Sequence, residues 1–338
     1  MIVVMQTGAE QAAVDAVVEQ ITKQGLTPHL SAGEFRTIIG AMGEEGKLDE
    51  RHLLAMDGVD KVLPVMKPYK LASREFSEHD TVVEVGGVKL GGEHATVLAG
   101  PCTVEDREML WTIAGHVKKA GATILRGGAF KPRTSPYSFQ GHGKQALEWL
   151  RECGDEHGMP TCTEVMDPRQ VELVAEWADV LQIGARNMQN FDLLKEVGQT
   201  KRPVVLKRGL AATVKDWLLS AEYVLSQGNR DVILCERGIK TFEDSIRFSL
   251  DITSIPVALK NTHLPIVIDP SHAAGKRDFV PAIALAGMAA GAHGILIEVH
   301  HDPASAQCDG PQALLPATFE TLMGQLGGLA QLHGRTLA

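Results

Sequence analysis

The chain has 338 residues, of which 44% are hydrophobic and 22% charged, a composition typical of a globular protein with a large core. Its formal net charge of −9 argues against nucleic acid as a general partner. No apolar run approaches the roughly 20 residues that span a bilayer. The first residues lack the basic start of a signal peptide, and the 5 cysteines form no Cys-x-x-Cys pair. We therefore expect a cytoplasmic protein without a disulfide framework or a closed structural zinc site.

Residues 1–66 predict a small α+β domain. The predicted elements, in chain order, are a strand at 2–5, a helix around 14–21, strands at 27–31 and 37–42, a helix at 48–56 and a strand at 59–65. Valines and an isoleucine at helical spacing mark the first helix, and Gly25 is placed to end it. The order β-α-β-β-α-β is typical of ferredoxin-like folds, which include ACT-like modules that sense amino acids.

Residues 67–80 contain a proline, several charges and little periodicity, which predicts a linker. After it, the dipeptide Gly86-Gly87 lies between two short β-branched runs at 82–85 and 88–90. A two-residue glycine turn between such runs predicts a β-hairpin. We expect this hairpin to open a second domain that spans residues 81–338.

From about residue 95 onward, apolar runs alternate with helical segments. The eight runs lie at 95–99, 122–125, 160–165, 180–183, 203–206, 232–235, 265–268 and 294–299. Continuous apolar strands are typical of a parallel sheet covered on both faces. Eight β-α repeats in ~240 residues favour a (β/α)8 TIM barrel. An open doubly wound sheet is the main alternative, but no G-x-G-x-x-G follows an early strand. Residues 241–262 give no clear pattern.

In a barrel, the C-terminal ends of all strands meet at one mouth, where each predicted strand is followed by polar residues. Five cations lie at these ends: Arg126, Lys131, Arg186, Lys207 and Arg237. Singly, each is typical of a solvated surface charge. Together they predict a pocket for a multiply charged phosphate or carboxylate, and their mutual repulsion should destabilise the site when no anion is bound.

A second set, at the strand ends and in the loop after the eighth strand, combines a thiol, an imidazole and two carboxylates. Its members are Cys102, His272, Glu298 and Asp309. Such a mixed set suits Mn, Fe, Co or Zn, and it can leave a coordination position for a substrate oxygen. A lone cysteine is more often a small core residue, and a lone histidine is often a local hydrogen-bonding group. Three neighbours are alternative ligands that spacing does not exclude: Cys308, His300 and His301.

At these strand ends the chain resembles a known family. The motifs are Ala99-Gly100-Pro101-Cys102, Arg126-Gly127-Gly128, Lys131-Pro132-Arg133-Thr134-Ser135, Gly184-Ala185-Arg186-Asn187, Leu206-Lys207-Arg208-Gly209, Cys235-Glu236-Arg237-Gly238 and Asp269-Pro270-Ser271-His272. They resemble the 3-deoxy-D-arabino-heptulosonate-7-phosphate (DAHP) synthases, in the short type I beta form with an N-terminal ferredoxin-like regulatory domain. The resemblance covers nearly the whole chain.

The resemblance implies a metal-dependent condensation of phosphoenolpyruvate with erythrose 4-phosphate, the first step of the shikimate pathway to aromatic amino acids. It implies metal binding by Cys102, His272, Glu298 and Asp309. It implies phosphoenolpyruvate binding by Arg126, Lys131, Ala185, Arg186, Lys207 and Arg237. It implies erythrose 4-phosphate binding by Lys131, Pro132, Arg133, Thr134 and Ser135. We expect Lys131 to donate a proton and Glu164 to position the attacking water.

Three alternative functions remain open at this point. Synthases of 3-deoxy-octulosonate 8-phosphate use arabinose 5-phosphate and usually carry Ala-Asn-Arg where this chain has Pro132-Arg133. Some of them replace the metal-binding cysteine with asparagine, so Cys102 also favours the shorter sugar. An amino-acid-binding protein with a decayed barrel would need lost ligands, whereas all four are present. A metal-dependent aldolase would release no phosphate.

The N-terminal domain resembles the family's sensor for an aromatic amino acid. Its candidate inhibitor site is a loop with polar donors: His29, Ser31, Ala32 and Gly33. An ordinary β-turn explains the same residues equally well. The resemblance implies feedback inhibition by tyrosine or phenylalanine, through paired sensor domains that dock over the barrel mouth, and a homotetramer.

Overall fold

The computed structural model describes residues 1–33, 36–43, 49–63, 68–133 and 135–338. Thr134 and the predicted ends of one helix and one strand, at 48 and 65, lie outside the described residues. The chain divides into two compact units, Met1–Glu78 and His79–Ala338. Among the helices of the described residues, none has the length and apolar character to cross a membrane.

The first unit has the predicted ferredoxin-like order of elements. They are β1 (Ile2–Met5), α1 (Gln11–Lys23), β2 (Thr27–Ala32), β3 (Thr37–Met42), α2 (Glu50–Leu54) and β4 (Val59–Leu63). The antiparallel sheet has the order β2-β3-β1-β4. α1 buries Val14, Val17 and Ile21 in a core with residues of one sheet face, including Val3 and Ile39. The amphipathic spacing of α1 therefore positions it on the sheet.

The predicted linker differs from the structure. Residues 68–78 belong to the first unit, and Tyr69, Leu71 and Phe76 are buried. Their irregular spacing among charged residues leaves neither a helical nor a strand period, so sequence pattern alone does not reveal their burial. The unit boundary consequently lies near the end of segment 67–80.

The second unit contains a closed parallel barrel. Its strands are β7 (His94–Gly100), β8 (Ile124–Arg126), β9 (Thr161–Val165), β10 (Val180–Ile183), β11 (Val204–Lys207), β12 (Val232–Glu236), β13 (Ile266–Ile268) and β14 (Gly294–Glu298). Consecutive strands pair in parallel, and β14 pairs back with β7 from Gly294↔Thr96 to Glu298↔Gly100. This last pairing closes the sheet and confirms the predicted (β/α)8 fold.

Helices follow the barrel strands along the chain. They are α3 (Arg107–Lys119), α4 (Lys144–His157), α5 (Val171–Trp177), α6 (Phe191–Gln199), α7 (Val214–Ser226), α8 (Ser254–Asn261), α9 (Pro270–Ala274), α10 (Val280–Ala289) and α11 (Pro316–Leu332). The unclear stretch 241–262 consists of a long loop after β12 and then α8. A final short strand, β15 (Thr336–Leu337), pairs with the start of β7.

A hairpin of β5 (Val83–Val85) and β6 (Val88–Leu90) precedes the barrel. Its turn residues Gly86 and Gly87 have φ values of 54° and 83°, which a two-residue turn of this kind requires. Val83, Val85 and Leu90 share one apolar cluster with the inward-facing residues of the barrel strands. The barrel interior is therefore packed, and the functional groups gather at the C-terminal ends of the strands.

Candidate metal centre and anion-binding pocket

A cavity of about 300 Å³ lies at the C-terminal ends of the barrel strands. Cationic side chains dominate its lining: Lys131, Arg133, Arg186, Lys207, Arg237 and Arg247. Two carboxylates, Glu164 and Asp309, also line it, as do Pro132, Ser135 and Ala185. This excess of positive charge makes the cavity suitable for small, multiply charged anions.

One wall of the cavity adjoins a cluster of four potential metal ligands. Cys102, His272, Glu298 and Asp309 each offer one donor atom, and these atoms lie within 4.8 Å of one another. Cys102 follows β7, His272 lies on α9, Glu298 ends β14, and Asp309 lies in the loop after β14. Residues separated by as many as 207 positions are thus brought together by closure of the barrel.

The His272 ring is oriented by Asp269, which directly follows β13. The Asp269 carboxylate caps α9 by accepting a bond from the backbone N–H of His272 at 2.9 Å, and it contacts Nδ1 of the same ring at 2.8 Å. Nε2 consequently faces the cluster, 3.4 Å from Oε1 of Glu298 and 3.7 Å from Oδ2 of Asp309. A carboxylate behind a histidine is a common way to orient a metal-binding imidazole.

Electrostatics prepare these groups for a cation. Burial lowers the pKa of His272, which favours the neutral imidazole that binds metals. Burial alone would raise the pKa of both carboxyls, but nearby positive groups outweigh it and lower the pKa of Glu298 and Asp309. Burial raises the pKa of the Cys102 thiol well above its usual range, and a bound divalent ion would deprotonate a coordinating thiol.

The cluster fits a single divalent transition ion. Metal–ligand bonds of about 2.0–2.3 Å keep ligands of one ion within roughly 4.6 Å of each other, close to the separation found here. A thiolate, an imidazole and two carboxylates suit Mn, Fe, Co or Zn. The alternative ligands Cys308, His300 and His301 are not in the cluster that the described residues form. Cys308 instead accepts a bond from Nη1 of Arg133 at 2.9 Å.

Lys131 joins the cluster to the cavity. Its Nζ lies 2.7 Å from Sγ of Cys102 and 3.2 Å from Oδ2 of Asp309. Burial would lower the pKa of Lys131, but the surrounding thiols and carboxylates outweigh it and raise the pKa above its ordinary value. Lys131 therefore carries its proton at neutral pH, at the junction of the cluster and the cavity.

The cations predicted for anion binding have different surroundings. Arg126 does not line the cavity. Its Nη1 donates to Oε1 of Glu298 at 3.0 Å and to the Pro101 carbonyl at 2.9 Å. Lys207 lines the cavity but is paired with Asp269. These two buried ion pairs offset part of the repulsion among the cations at the barrel mouth. The expected instability of the site without a bound anion did not take the paired carboxylates into account.

Arg237 is a third buried cation of this set. Its guanidinium stacks on the Phe248 ring, with Cζ 4.5 Å from the centroid. Burial lowers the pKa of Arg237, and its Nη1 has no hydrogen-bond partner among the described residues. A buried donor without a protein partner is costly, so this nitrogen is available to a water molecule or a ligand in the cavity.

Several lining residues were missed from the sequence. Arg247 and Phe248 lie in the loop after β12, and Leu210 and Ser138 lie in the loops after β11 and β8. The strand-end pattern and the motifs do not mark these four residues, which lie within the loops. Arg247 could have been found as a cation in a loop that must pass the barrel mouth.

The candidate inhibitor-binding residues lie at one edge of the first unit's sheet. His29, Ser31 and Ala32 belong to β2, and the backbone N–H of Gly33 donates to the Arg36 carbonyl at 2.9 Å. Pairing with β3 places His29 opposite Gly40 and Ser31 opposite Ile38.

The buried pair of Arg126 and Glu298 gives a testable expectation. Replacing Arg126 with methionine should lower the stability of the second unit by about 3–5 kcal/mol, because it leaves a buried carboxylate without its cation. Urea unfolding in the presence of a chelator measures the change. Arg169→Met removes only an exposed pair with Asp167 and should leave the midpoint unchanged. Equal midpoints for both variants would contradict the expectation.

Comparisons with known proteins agree with this architecture. The family model described as the DAHP synthetase I family matches residues 75–332, and that of the DAHP synthase ferredoxin-like domain matches residues 1–67. Phospho-2-dehydro-3-deoxyheptonate aldolase of Thermotoga maritima is 47% identical over 334 residues, which cover 99% of each chain. A 2-dehydro-3-deoxyphosphooctonate aldolase of Syntrophobacter fumaroxidans is 34% identical over 68% of this chain and 85% of its own.

Two solved structures have the same fold. A crystal structure of the Thermotoga maritima DAHP synthase has a TM-score of 0.80 and 46% identity, and covers 100% of this chain and 99% of its own. A truncated form of 3-deoxy-D-arabino-heptulosonate 7-phosphate synthase from the same organism has a TM-score of 0.75 and 46% identity. It covers 80% of this chain and 99% of its own. With both domain models matched and a full-length relative at this identity, the chain belongs to the DAHP synthetase I family.

Proposed function

We propose that the chain condenses phosphoenolpyruvate with erythrose 4-phosphate and water to give DAHP and phosphate, in a reaction that needs a divalent metal. The observation that carries the proposal is the contact of a four-residue metal-ligand cluster with a strongly cationic cavity. Membership of the DAHP synthetase I family and the name of the 47% identical relative support the same reaction.

Phosphoenolpyruvate binds among Lys131, Arg186, Lys207 and Arg237, beside the backbone of Ala185. Each charge-assisted hydrogen bond contributes roughly 1.5–3 kcal/mol, so a few of them reach the ~8 kcal/mol of micromolar binding. The unpartnered Nη1 of Arg237 becomes satisfied when the anion binds. Arg126 acts from beneath the site by holding Glu298.

Erythrose 4-phosphate binds on the opposite side of Lys131. Pro132, Arg133 and Ser135 line the cavity. Thr134 completes the proposed set from outside the described residues. Arg133 offers its guanidinium fork to the sugar phosphate while Cys308 fixes one of its nitrogens.

During the reaction, carbon three of the enol phosphate bonds to the aldehyde carbon of the sugar, carbon two takes up water, and its bond to the phosphate oxygen breaks. A divalent ion held by the cluster would supply Lewis-acid polarisation of the aldehyde oxygen. Lys131 donates a proton to the oxygen that becomes the new hydroxyl. The cationic lining holds both reactants in one orientation.

Glu164 positions the attacking water. Its Oε2 accepts a bond from Nε2 of Gln182 at 2.9 Å, which fixes the carboxylate at the cavity wall. Gly184 makes room for it, because a Cβ there would lie 2.2 Å from Oε1 of Glu164. Even the smallest side chain at position 184 would therefore displace this carboxylate.

Substrate choice tests the proposal. Loss of phosphoenolpyruvate and release of inorganic phosphate are followed in parallel with erythrose 4-phosphate and with arabinose 5-phosphate. With erythrose 4-phosphate, we expect the amount of phosphate released to equal the amount of phosphoenolpyruvate consumed. With arabinose 5-phosphate, we expect a rate at least about 100-fold lower. Faster turnover of arabinose 5-phosphate would assign the activity of the octulosonate relatives instead. Condensation without phosphate release would indicate a simple aldolase.

Residues 1–66 form a regulatory domain in this proposal, with His29, Ser31, Ala32 and Gly33 in the inhibitor site. The protein works as a cytoplasmic homotetramer, which analytical ultracentrifugation would test. Feedback by an aromatic amino acid suits an enzyme that opens the pathway to these amino acids.

Deletion of residues 1–66 is expected to leave an active enzyme that tyrosine and phenylalanine no longer inhibit. The physical reason is that every residue lining the cavity lies between Lys131 and Asp309, within the second unit. Initial rates with and without each amino acid measure the effect in the full and shortened chains. A folded but inactive shortened chain would count against a purely regulatory role for the domain.

A further inference from the structure

Two side chains outside the metal-ligand cluster connect its two carboxylates. Nε2 of Gln312 donates to Oε2 of Glu298 at 2.6 Å. Nη1 of Arg247 donates to Oε1 of Gln312 at 3.1 Å and to Oδ1 of Asp309 at 3.4 Å. Hydrogen bonds therefore run without a break from Glu298 through Gln312 and Arg247 to Asp309.

Both ends of this bridge hold the carboxylate oxygen that does not face the other ligands. Oδ2 of Asp309 lies 3.3 Å from Sγ of Cys102 and 3.7 Å from Nε2 of His272, whereas Arg247 contacts Oδ1. Oε1 of Glu298 lies 3.4 Å from the same His272 nitrogen, whereas Gln312 contacts Oε2. The bridge thus leaves one oxygen of each carboxylate directed at the cluster.

Asp309 in particular needs to be held in place. Its φ of 52° lies in the left-handed region, and among the described residues it is the non-glycine residue with a positive φ. Few non-glycine residues have this backbone conformation, and contacts with the surrounding residues stabilise it. Arg247 provides such a contact on one oxygen of the carboxylate.

The bridge itself is fixed relative to the histidine ligand. The backbone N–H groups of Arg247 and Phe248 donate to the carbonyls of Ala274 and Ala273, at 3.1 and 2.8 Å, and both acceptors lie on α9 with His272. Gln312 is buried, and its amide oxygen and nitrogen each have the partner described above. The bridge therefore links α9, which carries His272, to the two carboxylate ligands.

We propose that Gln312 and Arg247 are positioning residues that fix the two carboxylate ligands and so set the affinity and geometry of the metal site. This inference rests on the metal-dependent function proposed above. Partners of this kind, which contact ligands but not the metal, usually change metal affinity by about 10–100-fold when they are removed.

Cobalt(II) binding in the absence of substrates tests the inference. The variants are Gln312→Leu, Arg247→Met and the double variant, with Lys276→Met as the matched control. Lys276 is an exposed cation just after α9, and its Nζ donates to the Ser245 carbonyl of the loop after β12 at 2.7 Å. Competition with a chelating dye gives the dissociation constant. The visible and near-ultraviolet cobalt bands report the ligand geometry and the bond to the thiolate.

Each single variant is expected to bind cobalt about 10–100-fold more weakly and to show altered visible bands. The double variant should bind cobalt at most about threefold more weakly than the single variant with the lower affinity, because both residues act through one bridge. Arg247→Lys keeps the charge but not the planar fork, and it should recover part of the lost affinity. The control should stay within about twofold of the unaltered chain.

Circular dichroism and thermal unfolding in chelator identify which variants fold, and Arg247→Lys provides a conservative variant if others do not. Unaltered cobalt affinity and spectra in the folded variants would overturn the inference while leaving the metal-dependent function intact. Losses that multiply in the double variant would also overturn it, because they would indicate two independent contacts. Failure of the unaltered chain to bind cobalt would overturn both the inference and the metal requirement on which it rests.

Discussion

Replacing Cys102 with alanine is expected to remove the bound metal and to abolish condensation. Sγ of Cys102 is one of four donors within 4.8 Å of one another, and a methyl group cannot replace it. The loss of metal affinity should exceed the about 10–100-fold that is typical of residues that only support a ligand. Elemental analysis after dialysis measures ions per chain, and initial rates with both substrates measure the activity.

Two other cysteines provide matched controls for this experiment. Sγ of Cys308 lies 3.5 Å from Sγ of Cys102, and Cys308 was an alternative ligand from the sequence. Cys153 is buried in α4, away from the cluster. Both alanine variants should retain metal. If Cys308→Ala loses the metal and Cys102→Ala keeps it, the metal-binding thiol is that of Cys308 and not that of Cys102.

Replacing Lys131 with methionine is expected to lower kcat by about 100- to 10,000-fold while the metal content stays near that of the unaltered chain. Methionine keeps much of the length of the side chain but removes the proton that Lys131 would donate. It also removes a cation beside Cys102 and Asp309, so KM for phosphoenolpyruvate should rise as well. Steady-state kinetics with both substrates, together with elemental analysis, separate these effects.

The same substitution at Lys240 is the control, since Lys240 is exposed and does not line the cavity. Its kcat and KM should remain within about twofold of the original values. A Lys131→Met enzyme with raised KM and normal kcat would assign Lys131 to anion binding alone. The proton donor would then have to be another group.

The sequence indicated the barrel because its signal is repeated and local. Each of the eight strands is a short apolar run that ends near a polar residue, and closure of the sheet follows from the repeat. The four predicted metal ligands come together for the same reason, since three of them lie at or just after strand ends. Asp309 lies 11 positions beyond Glu298, and it was predicted as a ligand from the loop after the last strand rather than from a strand end.

Interactions within the loops were not predictable in this way. Arg126 was expected in the anion pocket, but Glu298 and the Pro101 carbonyl hold it beneath. Arg247 and Gln312 were missed because the loops after β12 and β14 have no period that reveals which side chains turn inward. Pairing between distant loops depends on the three-dimensional path of the backbone, which single-sequence patterns do not contain.

We propose that an ion in the Cys102 cluster is required for the reaction at the cationic cavity. The experiment is the stepwise return of Mn(II) to the chelated protein, with bound metal and phosphoenolpyruvate consumption measured on the same samples. We predict no turnover without metal, and turnover that rises in proportion to bound metal up to one ion per chain, as expected for the cluster that the described residues form. Full turnover by the metal-free chain would contradict the claim.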